Sequence, residues 1–138
     1  MNLDPQAAAL LADVILAGHV GVVAFVVLGE VAILLGGALG WNWIRRRALR
    51  IAHVALMVFI ALQAWLGQTC PLTIWEQSLR RTAGQDAYSQ GFIEHWLARL
   101  LYVEAPWWAF LAAYTLFALL VLATWIRVPP HPRGAARR

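Results

Sequence analysis

The stretch Phe92-Ile93-Glu94-His95-Trp96-Leu97-Ala98-Arg99-Leu100-Leu101-Tyr102-Val103 decides how often this chain crosses a membrane. It is apolar enough to resemble a span, yet it offers about twelve residues where a crossing helix takes about twenty. It would also place Glu94, His95 and Arg99 in hydrocarbon, where ionisable groups are costly. Wound as a helix, it carries Phe92, Trp96 and Val103 on one stripe and His95, Arg99 and Tyr102 on another, the pattern of a helix lying at an interface. A fourth crossing would further put the arginine-rich C-terminus outside. The expectation is therefore three spans and an outer-face cap, with a four-helix membrane bundle as the alternative.

Composition agrees with a membrane protein. Of 138 residues, 62% are hydrophobic and 13% charged, too few charges to coat a soluble globule of this size. The chain reads as one all-α integral membrane domain, residues 1–138. The 11 basic residues are all arginine and give a net charge of +4. Most sit at the ends of apolar runs, where they set orientation rather than bind nucleic acid. No phosphate loop, dinucleotide fingerprint or nucleic-acid patch is present in the sequence. A single cysteine, Cys70, excludes an intrachain disulfide.

Outward from the deciding stretch, the spans follow in order. Met1 to Gln6 contains Asp4 and no basic residue, unlike the positive start of a cleaved signal peptide, so a retained N-terminus is expected. From Ala7 to Leu39 the chain is apolar apart from Asp13, His19 and Glu30. At about 1.5 Å per residue that is roughly 50 Å of helix against a hydrocarbon core of about 30 Å, so one end must tilt or project. The first span is set at about residues 12–39, with Trp41 and Trp43 as interfacial anchors; roughly twenty residues back from them, the far boundary falls near Val20, beside His19. Arg45, Arg46, Arg47 and Arg50 form the densest positive cluster in a short loop, which the positive-inside rule assigns to the cytoplasm. The N-terminus is then periplasmic. The second span, about 48–66, carries His53 and Gln63; the third, about 107–126, starts behind Pro106 with Trp107 and Trp108 as anchors. Residues 127–138 become a cytoplasmic tail and 67–106 the outer cap. In that cap, Thr73 and Glu76 form a capping-box pattern, Glu76 and Arg80 are spaced for an i,i+4 pair, and Gly84 fits a stop. These predict short helices from about Ile74 to Ala83 and Phe92 to Tyr102.

One family resembles this chain. The residues that carry the likeness are Ala12-Asp13-Val14 with His19, Cys70-Pro71-Leu72-Thr73, Trp75-Glu76, Leu79-Arg80, Ala83-Gly84, Tyr88, Gly91-Phe92-Ile93 and His95-Trp96. Over about Leu10 to Trp125 the sequence is similar to a family of small bacterial inner-membrane proteins classed as a domain of unknown function, with Cys-Pro-Leu-Thr the most specific block. The resemblance implies the fold and a bacterial inner-membrane location, and no established activity. It also places a family histidine at His53, preceded here by Ala52 where an aromatic residue is expected.

Two polar constellations follow from depth. The turn between the first spans centres near Asn42 to Ile44, so Glu30 and His53 lie within about 6 Å of the same level. Buried ionisable residues in a bilayer are functional candidates, and the pair reads as a structural link between helices or as a proton relay. His19 and His53 differ in depth by roughly 20 Å and cannot both ligate one haem. His19 instead lies level with Cys70, under a cap that brings His95 with Glu76 or Glu94. Imidazole with thiolate suits Zn, Cu or Fe, and a pair of imidazoles suits haem b, although no diagnostic metal spacing is present. The plainer reading is that His19 and His95 hydrogen-bond the cap to the first helix. Cys70 beside His19 is also a conceivable nucleophile, against a packing role next to Pro71. Ala32, Gly36 and Gly40 make a small-residue stripe for close helix approach, within the chain or against a partner.

Three functions remain open at this level. They are metal or haem binding at the outer His/Cys cluster, an accessory subunit or assembly factor of a larger membrane complex, and a proton-coupled membrane enzyme or transporter.

Overall fold

The computed structural model describes residues 3–88, 92–102 and 104–132. These fold into α1 (Pro5–Leu39), α2 (Arg47–Trp65), α3 (Pro71–Thr82), α4 (Phe92–Leu101) and α5 (Trp107–Arg127), with a short 3-10 turn at Trp43–Arg45. Three of them, α1, α2 and α5, are long and apolar enough to cross a membrane. α4 has 10 residues, about 15 Å of helix, and does not reach across a bilayer. The four-helix alternative fails on that length.

Local chemistry sets the helix ends. Asp4 caps α1 by accepting from the Ala7 N–H at 3.3 Å, with Pro5 in the first turn. The helix stops where Gly40 takes φ 74°, a left-handed conformation that favours glycine. α3 starts earlier than the capping-box pattern predicts. Pro71 occupies its first turn, where a missing N–H has no intrahelical partner, and Thr73 lies inside the helix with its hydroxyl buried. The Glu76–Arg80 pair forms as spaced, Arg80 Nε donating to Glu76 Oε1 at 2.9 Å. The helix ends at Gly84, φ 71°, where the Gln85 N–H returns to the Arg80 carbonyl at 2.8 Å.

The helices pack as two pairs that diverge away from the α1–α2 turn; inner denotes the end of the bundle at that turn and outer the opposite end. α3 runs back along the outer half of α1, burying Ala8 and Ala12 of α1 against Thr73, Glu76 and Gln77 of α3. Alanine at these positions lets the two backbones approach. α2 packs along α5, tied near the outer end by Trp65 Nε1 donating to Thr115 Oγ1 at 3.0 Å. The three long helices meet at a core of Val26, Met57 and Val121, with Phe25, Val54 and Phe117 around it.

The inner end is bolted shut. Arg45 donates to the Pro129 carbonyl at 2.9 Å, the His131 N–H donates back to the Arg45 carbonyl at 3.0 Å, and Arg50 donates to the Val128 carbonyl. Val128 lies against Gly37, where an added Cβ would come within 2.7 Å of it, and Ile44 lies against Gly36 at 2.8 Å by the same measure. The small residues near the end of α1 therefore serve contacts within the chain. Gly40, read as part of that stripe, has nothing within 4 Å of an added Cβ and serves as the left-handed stop. Trp41 stacks on Trp43 at 6.0 Å at this end, while Trp107 and Trp108 stand exposed at the start of α5.

Candidate functional site

Polar residues gather at two levels of the bundle. At the inner level Glu30 of α1, Arg50 and His53 of α2 and Thr124 of α5 are each almost wholly buried. A carbonyl can only accept, so the 2.8 Å contact between His53 Nε2 and the Val26 carbonyl places a proton on Nε2. His53 Nδ1 then faces Glu30 Oε2 at 4.0 Å. The Thr124 hydroxyl contacts both Glu30 Oε1 and the Leu120 carbonyl, and with one proton it donates to one of them at a time. Gly29 makes this possible, because a Cβ there would sit 3.0 Å from the His53 ring. Glu30 and His53 thus lie 4.0 Å apart across the α1–α2 seam. Sequence alone does not single out Arg50 or Thr124; Arg50 stands one helical turn before His53, and its place in the arginine cluster marks it only as an orientation charge.

The outer level is built around Glu76, which has no exposed surface. Its Oε1 accepts from Arg80 and its Oε2 accepts from the Tyr88 hydroxyl at 2.8 Å. Arg80 also reaches Asp13 of α1 at 3.3 Å and Gln85 at 2.9 Å, so one guanidinium staples α3 to α1 and to the following turn. Burial, and then the hydrogen bond to the Glu76 carboxylate, push the Tyr88 phenol above its ordinary value. It remains a donor across the physiological range.

The two outer histidines sit in separate aromatic stacks. His19 lies against Phe92 with ring centroids 3.9 Å apart, and His95 lies against Tyr88 at 3.9 Å. Cys70 caps α3 without a side-chain hydrogen bond. Among the described residues no three His, Cys, Asp or Glu side chains converge as a metal-binding group. Several buried polar atoms of the α1–α3 seam, His19 Nδ1, Thr73 Oγ1 and Gln77 Nε2, have no hydrogen-bond partner among the described residues.

Desolvation, and then the neighbouring Arg99 guanidinium, lower the affinity of His95 for a proton, with Glu76 pulling the other way. A histidine depressed in the folded state binds protons more readily when unfolded. Its contribution is complete above the unfolded value of about 6.5 and is lost as pH falls through the depressed folded value. The cap is therefore expected to melt earlier at about pH 5 than at about pH 8. A His95→Gln chain should show a smaller difference in melting temperature between the two.

Between the diverging pairs lies a cavity of about 560 Å³, within the size range of small-molecule sites. α1 contributes His19, Val22 and Val23, α2 contributes Leu56 and Ile60, and α5 contributes Phe110, Leu111 and Tyr114. Gln68, Thr69 and Cys70 close its outer end with Glu94 of α4. His19 and Cys70 therefore face one cavity. His95 and Glu76 line another, of about 430 Å³, in the cap.

A family model described as Protein of Unknown function (DUF2784) matches residues 9–130. The chain belongs to this family. No curated protein and no solved structure matches it. The family match takes in α2, α3, α4, α5 and all but the first turn of α1, so both polar levels and the cavity lie within the DUF2784 domain.

Proposed function

We propose that this membrane protein binds a small amphipathic molecule in the cavity between its spans, at the end that His19 and Cys70 both line. One observation carries this reading. α1 leans on α3 and α2 on α5, leaving apolar walls capped by polar groups in a helical bundle, the shape and chemistry of a ligand site. Apolar walls hold a tail, and the polar rim orients a head. By the positive-inside rule, the cluster of Arg45, Arg46, Arg47 and Arg50 favours a cytoplasmic inner end. The cavity would then face the outer leaflet of a bacterial inner membrane. The exposed apolar surface of the long helices is what lipid contact alone requires, so it does not favour an accessory subunit.

Native mass spectrometry of the detergent-purified chain tests this. One small molecule retained per chain is expected, and lost when Val23→Phe or Ala64→Phe, at two lining positions of α1 and α2, fills the cavity. An absorption spectrum and elemental analysis of the same sample identify the occupant's class. A Soret band or a near-stoichiometric metal lost in His19→Ala would make it haem b or a metal ion. Failure to retain or take up any amphiphile, with the helices intact, would overturn the proposal.

A further inference from the structure

The cavity wall is selective in its charges. All the arginines of α2, α3, α4 and α5 lie outside it, and among its described lining residues Glu94 is the one carboxylate. An anionic head would meet Glu94 with no arginine to offset it and the His19 imidazole as the one ionisable base of the described lining. A charge moved from water into so apolar a site loses hydration that nothing there restores.

Besides Glu94, His19 and Cys70, the polar side chains of the described lining are neutral hydrogen-bonding ones. Gln63 and Gln68 offer amide N–H groups, while Thr69 and Tyr114 offer hydroxyls. Such donors match carbonyl oxygens on an uncharged head. The walls add a second constraint, since Phe59, Trp75, Phe92, Trp107, Phe110 and Tyr114 all line the same space. Aromatic faces favour a flat ring in offset or edge contact.

Resting on the ligand-binding reading above, we infer that the cavity takes a flat, uncharged, carbonyl-bearing ring on an apolar tail, the chemistry of a lipophilic quinone. The ring lies among the aromatic side chains with its carbonyls toward Gln63, Gln68 and Tyr114. The tail extends along Val22, Val23 and Ile60 toward the bilayer centre.

The test uses the detergent-purified full chain and a fully substituted benzoquinone with a decyl tail, which leaves no open ring position for the Cys70 thiol to attack. Trp75 and Trp107 line the cavity and report binding by fluorescence quenching. Expected are saturable quenching at one quinone per chain, loss of it in Ala64→Phe and in Val23→Phe, and affinity about tenfold weaker in Gln63→Leu. Decyl phosphate and decyltrimethylammonium should bind at least about tenfold more weakly than the quinone. Equal or tighter binding of either charged probe, blocked by Ala64→Phe, would overturn the head assignment while leaving the cavity a ligand site. No saturable binding of any of the three probes, with no molecule retained in native mass spectra, would remove both readings.

Discussion

Replacing Glu76 by alanine is expected to loosen the outer cap by about 3 kcal/mol, the low end of what breaking a buried ion pair costs. The carboxylate has no exposed surface, and both its oxygens are claimed, one by Arg80 and one by Tyr88. Truncation leaves a phenol and a guanidinium without their acceptor. The low end applies because Arg80 keeps its contacts to Asp13 and Gln85, and its side chain is 16% exposed. Glu76→Gln retains one acceptor but turns an amide N–H₂ toward a donor, so it should cost about 1–2 kcal/mol. Asp13 is 65% exposed, and solvent screening limits Asp13→Ala to less than about 1 kcal/mol. Hydrogen exchange over residues 71–82, which reads local opening, should speed up strongly in Glu76→Ala and barely in Asp13→Ala. Equal effects in the two variants would mean that the exposed ion pair holds the cap and the buried carboxylate does not.

How far the sequence reveals this site depends on which forces place each residue. The spans are legible because bilayer thickness fixes helix length, and α4 is too short by that measure however apolar it looks. The level of Glu30 and His53 follows from helical rise counted from one turn. The surroundings of His19 and His95 do not follow from any such count, since they depend on how α4 is rotated over α1. Phe92 and Tyr88 come to lie against the two imidazoles, and no spacing rule foretells that. Arg50 hides for a different reason. It belongs to a cluster whose other members mark orientation, and its burial depends on the Val128 carbonyl, contributed from 78 positions along the chain. The cavity is the hardest feature to read, because it is a place where helices fail to meet. Glycines divide in the same way: Gly40 is readable as a stop, while Gly29 and Gly37 are explained only by His53 and Val128.

At the inner level, Glu30→Leu is expected to destabilise the bundle by about 2 kcal/mol, through the buried Arg50 charge that it leaves without a carboxylate nearby. A lost hydrogen bond between membrane helices averages only about 0.6 kcal/mol, and Thr124 keeps the Leu120 carbonyl when Glu30 is gone. Arg50 is different, because it is 1% exposed, its Nε has no partner among the described residues, and Glu30 is the buried carboxylate of the same level, though not in ion-pair contact with it. Removing the carboxylate leaves that guanidinium with the Val128 carbonyl and the face of Trp125, 5.4 Å from the ring centre. Replacing buried charges of opposite sign together by apolar groups is often neutral, so Glu30→Leu combined with Arg50→Met should recover most of the loss. Thermal unfolding of the four chains in detergent forms a double-mutant cycle, and a double variant that loses the sum of the single effects would show that Glu30 does not serve Arg50. Glu30→Gln separates this clasp from a proton-carrying role. The amide still accepts from Thr124 but cannot exchange a proton, so a clasp predicts proton flux in liposomes equal to the native chain, and a relay predicts its loss. Because the cavity lies above the Val26–Met57–Val121 core and Glu30 lies below it, ligand retention should also survive Glu30→Gln. Loss of the ligand in that variant would instead mean that the inner cluster and the outer cavity work as one unit, coupled through the helix they share.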